Sequence, residues 1–165
     1  MLLLGDIARR HAALRGDKTA YVIGAARVTY RTLHARSNQL ARGLARLGVR
    51  HGDRVAVMAS NRTEYPIIYF AIIKLGAIVV PINARFTAAE VGAVVGHCEA
   101  ETCFIAGEFA ALLADVRASG QVPLLRRIIA IDADPAFPMR HSSTRSQTPN
   151  RPTTSASPST STTRT

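Results

Sequence analysis

Lysine is almost missing from this chain: Lys18 and Lys74 are the only two, and every other basic side chain is arginine. A phosphate-gripping loop is glycine-rich and delivers a lysine to the phosphates, and neither Lys18 nor Lys74 follows such a loop. Aromatic residues are only 5% of the sequence. That leaves no aromatic-basic platform for bases, so nucleic acid is not an expected partner despite a net charge of +10 and a pI near 11.0. The arginine bias matches a GC-rich genome, which weakens any functional meaning of the charge. Cysteine is limited to Cys98 and Cys103, too few for a zinc site or a disulfide framework. They read as small, reduced, partly buried residues; a redox pair would need a geometry that sequence does not give. His11, His34, His51, His97 and His141 are scattered without ligand spacing, so no metal site is expected. The longest apolar run, Ile67 to Ile73, falls far short of the ~20 residues of a membrane span. Met1-Leu2-Leu3-Leu4 runs straight into Gly5-Asp6, so no signal-peptide core develops. A soluble, cytoplasmic protein without a membrane span is the expectation.

What is present is enough apolar sequence, 47% of 165 residues, to build one domain with a real core. The most informative stretch runs from Gly48 to Glu90. Gly52-Asp53 marks a turn, and Arg54 to Met58 places β-branched residues at alternate positions, as a buried strand does. Thr63 is a candidate cap for a helix whose first turn tolerates Pro66. From Ile67 to Leu75 that helix is apolar on nearly every side and demands cover all round. Gly76 ends it, Ala77 to Val80 reads as a strand from the middle of a parallel sheet, and Pro81 and Asn83 stop it. Strand, helix, strand in this order predicts a right-handed βαβ unit.

Before this unit, Asp6 to Leu14 reads as a short helix with Asp6 as its N-cap and Gly16 as its stop. Thr19 to Ile23 and Arg27 to Tyr30 read as a hairpin about Gly24-Ala25-Ala26. A helix from about Arg31 to Leu47 carries Leu33, Leu40, Ala41, Leu44 and Leu47 on one stripe, leaving Arg31, Arg36, Arg42 and Arg46 mostly outside. Those arginines read as a solvated face. An anionic-ligand patch has no glycine-rich loop beside it. After the unit, Thr87 and Glu90 form a capping box for a helix to Cys98, weakened by Gly92 and Gly96. Thr102 to Ala106, Glu108 to Ala118 and Arg127 to Ile131 add strand, helix and strand.

Gly48-Val49, Gly52-Asp53-Arg54-Val55-Ala56, Asn61, Glu64-Tyr65, Gly76-Ala77, Pro81-Ile82-Asn83 and Glu90 resemble the opening of the AMP-forming acyl-CoA synthetases of the adenylate-forming ligase superfamily. Thr29-Tyr30, Leu33, Asn38-Gln39-Leu40-Ala41 and Leu44 continue the resemblance upstream, over roughly residues 5 to 132. It implies an α/β fold, a partial N-terminal domain of that superfamily built on βαβ units and a largely parallel sheet. For the full-length family it implies a ligase of fatty-acid and lipid metabolism that joins a carboxylic acid to CoA, with ATP and Mg²⁺, releasing AMP and pyrophosphate. The family's phosphate cradle is a Ser/Thr/Gly-rich loop ending in Pro-Lys-Gly, and no such run occurs here. None of the resembling positions is catalytic in the family. No catalytic, cofactor-binding or metal residue is therefore assigned, no cofactor is expected for this chain alone, and it is expected to be an inactive, truncated fragment.

Ser60 lacks a nucleophile-elbow frame and Ser37 sits in mid-helix. Asp53 and Glu64 read as a turn residue and a first-turn helix carboxylate. The domain is expected to occupy residues 1–137. The segment 138–165 is more than half Ser and Thr beyond Met139, with Arg140, Arg145, Arg151 and Arg164 and no acid, and is expected to be disordered. A natural tail and a nucleic-acid-touching segment are two readings of it. The third and preferred one is an out-of-frame translation of a GC-rich gene, which fails if neither other frame continues the resemblance. A module docking on another synthetase chain, or a homo-oligomer, is the alternative to a fragment of an enzyme. The unpaired edges and uncovered apolar helix of a partial sheet predict poor solubility or a partly molten state, against which a cooperative near-UV melting transition would count.

Overall fold

The computed structural model describes residues 4–131 and 141–143. The chain opens with α1 (Asp6–Arg15), a hairpin of β1 (Thr19–Ile23) and β2 (Ala26–Thr29), and α2 (Tyr30–Arg46). Gly5 rather than Asp6 stands at the cap of α1, and no side chain caps it; Asp6 is the first helical residue and accepts from Arg9 Nη2 at 3.1 Å. The hairpin turns on Gly24, whose φ of 58° only glycine adopts without strain. Thr29 ends β2 and caps α2 in one step, its hydroxyl accepting from the Thr32 N–H, so strand and helix both break one residue before the expected positions. Leu33, Leu40, Ala41 and Leu44 are buried along the predicted stripe.

Then follow β3 (Arg54–Met58), α3 (Glu64–Lys74), β4 (Ile78–Pro81), α4 (Ala88–His97), β5 (Thr102–Ala106), a 3₁₀ turn at Gly107–Phe109 leading into α5 (Ala110–Ala118), β6 (Arg127–Ile131) and β7 (His141–Ser143). The sheet order is β4-β3-β5-β6-β7. Its first four strands are parallel, with Val55 opposite both Val79 and Thr102, and β7 is antiparallel to β6. The predicted βαβ architecture is present. Three expectations need correction. Thr63 sits at the cap of α3 in helical conformation and its side chain makes no capping bond. β4 is an edge strand, not a central one: Ile78 is 51% exposed, and Pro81 lies inside the strand because an edge position needs no N–H from it. Three residues of the segment expected to be disordered, 141–143, form β7; the rest of that expectation lies outside the described residues.

Each central strand is buried on both faces, as alternation requires. Val55, Val57, Phe104 and Ile129 face a core built with Leu44 of α2 and Ile67, Ile68, Ala71 and Ile72 of α3. Ala56, Met58, Cys103 and Ile105 face a second core with Val91 and Val95 of α4 and Leu113 and Val116 of α5. The full cover expected for α3 is only partial: Tyr69, Phe70 and Ile73 stay half-exposed. The glycines that weaken α4 on propensity are there for space. A Cβ at Gly96 would lie 2.5 Å from the Gln121 carbonyl oxygen, so the loop before β6 crosses directly over that helix. The capping box is intact, with Glu90 Oε2 accepting from the Thr87 N–H at 2.8 Å and holding the Glu90 carboxyl below the usual range.

Candidate functional site

Open α/β sheets place ligands outside the carboxyl ends of their strands, where the strand order reverses. Here the chain leaves β3 for β4 on one side and leaves β5 for β6 on the other, so the reversal lies between β3 and β5. Ser60, two residues past β3, donates to Glu108 Oε1 at 3.0 Å, just past β5. Arg62 bonds Glu64 Oε2 at 3.0 Å and reaches Glu108 Oε2 at 4.0 Å. The Arg62 and Glu64 side chains are only 20% and 12% exposed. Glu108 is held below the ordinary carboxylate range first by its own backbone N–H, then by the Ser60 hydroxyl and the Arg62 charge. Tyr21 closes one flank, donating its hydroxyl proton to the Thr63 carbonyl at 2.7 Å; burial, with the nearby Glu64 charge, pushes that phenol up to about 12.

This end of the sheet does not suit a polyphosphate. Glu64 occupies the first turn of α3 and Glu108 sits in the turn that starts α5, so carboxylates already stand where those helix ends would attract an anion. One arginine faces two acids. Sequence reasoning placed Ser60 and Glu64 individually but missed Glu108 and Arg62, because the pairing joins residues 48 apart along the chain. Asp53 is, as read, a turn residue: its carboxylate accepts from the Arg50 N–H at 2.9 Å.

A second polar cluster lies between α1, α2 and α3 and joins Lys74, His34 and Ser37, three residues to which sequence reasoning assigned no chemical role. Lys74, at the end of α3, donates to Ser37 Oγ at 2.6 Å and Asn38 Oδ1 at 2.8 Å. His34 Nδ1 lies 3.3 Å from its Nζ. Gly5, Asp6, Arg9, His34, Asn38, Ile73 and Lys74 line a cavity of about 230 Å³ there. Burial lowers the Lys74 amine from 10.5 to about 8, and burial, then the Lys74 and Arg9 charges, lower His34. Ser37, read as a mid-helix serine, is fully buried and returns its own proton to the Leu33 carbonyl at 2.6 Å.

The remaining candidates stay apart. Cys103 is buried and Cys98 half-buried, both as free thiols; burial first, and the neighbouring Cys98, push Cys103 up to about 12. His11 stacks on Tyr30 at 4.8 Å, and His51 packs on Gly76. Among the described residues, no group of three His, Cys, Asp or Glu side chains could hold a metal ion. Arg31 pairs with Asp17 at 3.1 Å on the surface, and Arg42 and Arg46 are exposed, so α2 presents a solvated basic face. No described helix is long and apolar enough to cross a membrane.

Comparison with known proteins gives this scaffold its place. An acyl-CoA ligase, SID4, from Ajellomyces capsulatus is 39% identical over 106 residues, 63% of this chain and 18% of that protein. The long-chain-fatty-acid–CoA ligase FadD13 of Mycobacterium tuberculosis is 31% identical over 122 residues, 73% of this chain and 24% of that one. The chain thus spans about a quarter or less of the curated relatives it matches. Among solved structures, an anthranilate CoA ligase, AuaEII, in complex with anthranoyl-AMP superposes with a TM-score of 0.74 at 32% identity, over 79% of this chain and 25% of that one. The N-terminal domain of FACL13 from Mycobacterium tuberculosis gives 0.76 at 29% identity, over 81% of this chain and 34% of that domain. The family model for AMP-binding enzymes matches residues 8–163, running past residue 132 and through the Ser/Thr-rich segment. With that match across nearly the whole sequence and a shared fold beneath it, this chain belongs to the AMP-binding enzyme family.

Proposed function

We propose that this chain is scaffold from an ATP- and Mg²⁺-dependent carboxylate–CoA ligase of the fatty-acid-activating kind, and that it supplies no catalytic group of its own. The observation that carries the reading is the self-neutralised carboxyl end of the sheet. Ser60, Arg62, Glu64 and Glu108 bond to one another, and the acids occupy the first turns of the following helices. A nucleotide triphosphate bound there would have to displace two carboxylates and would find one arginine in exchange. The likeness to fatty-acyl and anthranilate ligases supports activation of a carboxylic acid in the whole protein, without choosing its chain length.

The test is ATP–pyrophosphate exchange with the purified 165-residue chain, together with calorimetric titration of ATP and Mg²⁺. Neither exchange nor binding heat is expected. Exchange above the buffer rate would overturn the reading. The exposed Ile78 on the edge strand β4, with Tyr69, Phe70 and Ile73 of α3 half-exposed, favours a further element of a synthetase as the partner of this surface. Co-purification with a synthetase chain that lacks these residues would support that pairing, and its failure would argue for a self-contained scaffold.

A further inference from the structure

The hydrogen-bond ring around Lys74 surrounds its amine with uncharged partners. Asn38 turns Oδ1 toward Lys74 Nζ at 2.8 Å and Nδ2 toward His34 Nε2 at 3.1 Å. An amide nitrogen only donates, so His34 Nε2 accepts. A neutral imidazole then carries its proton on Nδ1, and that N–H is directed at Lys74 Nζ, 3.3 Å away. Turning the Asn38 amide over does not help, because its NH₂ would then face the Lys74 donors. The ring closes more tightly around a neutral amine: two N–H groups are given to Ser37 Oγ and Asn38 Oδ1, and a lone pair receives from His34. An ammonium in the same place would push a third proton against the imidazole N–H, with the His34 carbonyl at 3.4 Å as its remaining outlet. Among the described residues no carboxylate pairs with Lys74. Asp6 lines the same cavity, and it is bonded by Arg9, whose positive charge also faces the site.

We propose that Lys74 is a nucleophilic modification site that takes an acyl group from an activated carboxyl donor, a mixed anhydride or a thioester. The amine lone pair forms a C–N bond to the donor carbonyl. The C–O bond to phosphate, or the C–S bond to the thiol, breaks and takes its electron pair with it. The surplus proton leaves the nitrogen to water beside the phosphate, or to the departing thiolate. The product is an Nε-acyl-lysine whose acyl chain lies in the cavity lined by Gly5, Asp6, Arg9 and Ile73. Because the amide is neutral and keeps one N–H, the cluster retains one of the two donor contacts to Ser37 and Asn38.

The depressed amine supports this: burial lowers it to about 8, so roughly half is unprotonated at pH 8, where an ordinary lysine is almost wholly charged. Lys18 is the internal control, since it is the other lysine of the chain and is exposed.

The experiment treats the full chain at pH 8 with limiting acetyl phosphate in one arm and N-acetylcysteamine acetyl thioester in the other. Peptide mapping by mass spectrometry then gives the acylated fraction of Lys74 and Lys18. Lys74 is expected to react about tenfold faster than Lys18, with a rate that rises through about pH 8 and then levels. Labelling in the acetyl phosphate arm alone identifies mixed anhydrides as the donor; labelling in both arms extends it to thioesters. Asn38→Asp keeps the shape of the ring and gives Lys74 a carboxylate partner, so the Lys74 rate is expected to drop at least tenfold while Lys18 is unchanged. In 6 M urea, roughly the strength that unfolds most small domains, the two lysines should label equally. Equal or slower labelling of Lys74 in native buffer would overturn the proposal, as would an Asn38→Asp variant that reacts like the parent.

Discussion

The two polar clusters of this molecule satisfy themselves in opposite ways. At the carboxyl end of the sheet, Arg62 stands between Glu64 and Glu108, and Ser60 adds a proton to the second acid; charge is cancelled by charge. Between the helices, Lys74 meets a hydroxyl, an amide oxygen and an imidazole; a basic group is held by neutral dipoles alone. The first arrangement holds Glu108 below the ordinary carboxylate range and so favours its charged form. The second lowers its amine and its imidazole, and so favours their neutral forms. A half-buried ionisable group with charged partners acts as structural mortar, and one with dipolar partners is left reactive.

The largest effect should come from breaking the charge-cancelled cluster. Arg62→Met leaves the 12% exposed Glu64 carboxylate without its partner. Removing one member of a fully buried pair costs ~3–5 kcal/mol, and the remaining exposure brings the expected loss here to about 2–3 kcal/mol. Urea denaturation of the variant measures it. Combining Arg62→Met with Glu64→Gln should restore more than half of the loss, because the unpaired charge then disappears. A single-variant loss under about 1 kcal/mol would make this pair no different from an ordinary surface one.

A smaller and pH-dependent effect separates the second cluster from the first. Lys74 has a folded value near 8 against 10.5 for a free lysine. Below about 8 the amine is charged in both folded and unfolded chains, and the folded state bears the full cost of burying it. Between 8 and 10.5 the unfolded chain binds more protons, so the Lys74 contribution to stability rises with pH. Above that range both are neutral and the contribution is level. Asp6, Arg9 and His34 are the other ionisable groups that line the same cavity. The buried Cys103 thiol and the Tyr21 phenol, both pushed up to about 12, act in the other direction, lowering stability above pH 9 and 10 respectively. Comparing the parent with Lys74→Met removes those shared terms. The stability difference should move toward the parent by about 1 kcal/mol between pH 8 and 10, after discounting for solvent screening. A difference that stays flat would place an ordinary ammonium at this position.

Most of the scaffold was legible because it is written in local patterns. Alternating Val55 and Val57 against Ala56 and Met58, the stripe from Leu33 to Leu44 and the Thr87–Glu90 box all follow from spacing within one element. What failed to show was relational. Gly92 and Gly96 read as a weakness of α4, when Gly96 is the one residue small enough to let Gln121 cross it. The two should therefore part on replacement. Gly96→Ala meets a backbone oxygen that does not yield locally and should cost ~1–2 kcal/mol despite the gain in helix propensity. Gly92→Ala meets the mobile end of the Gln121 side chain and should change stability by less than ~1 kcal/mol, measured by the same denaturation. The Lys74 ring was equally invisible, since its members come from α2 and α3, and only Asn38 stands in a run that carries the family resemblance. Ser37 drew attention as a possible nucleophile and proves to be an acceptor for the lysine.

The smallest effect tests whether the carboxyl end of the sheet is mortar throughout. Ser60→Ala deletes the hydroxyl that donates to Glu108 at 3.0 Å. Glu108 keeps its own backbone N–H and its approach to Arg62, and its side chain is 46% exposed, so water takes the place of the lost donor. The expected change in stability is therefore under ~0.5 kcal/mol. The Glu108 carboxyl should titrate slightly higher than in the parent, a shift that carboxylate NMR resolves, because one of the bonds favouring its charged form is gone. A loss above ~1 kcal/mol would mean that Ser60 holds β3 and β5 together at the crevice, and the contrast would then run between a rigid sheet end and an adaptable amine, not between paired charges and dipoles.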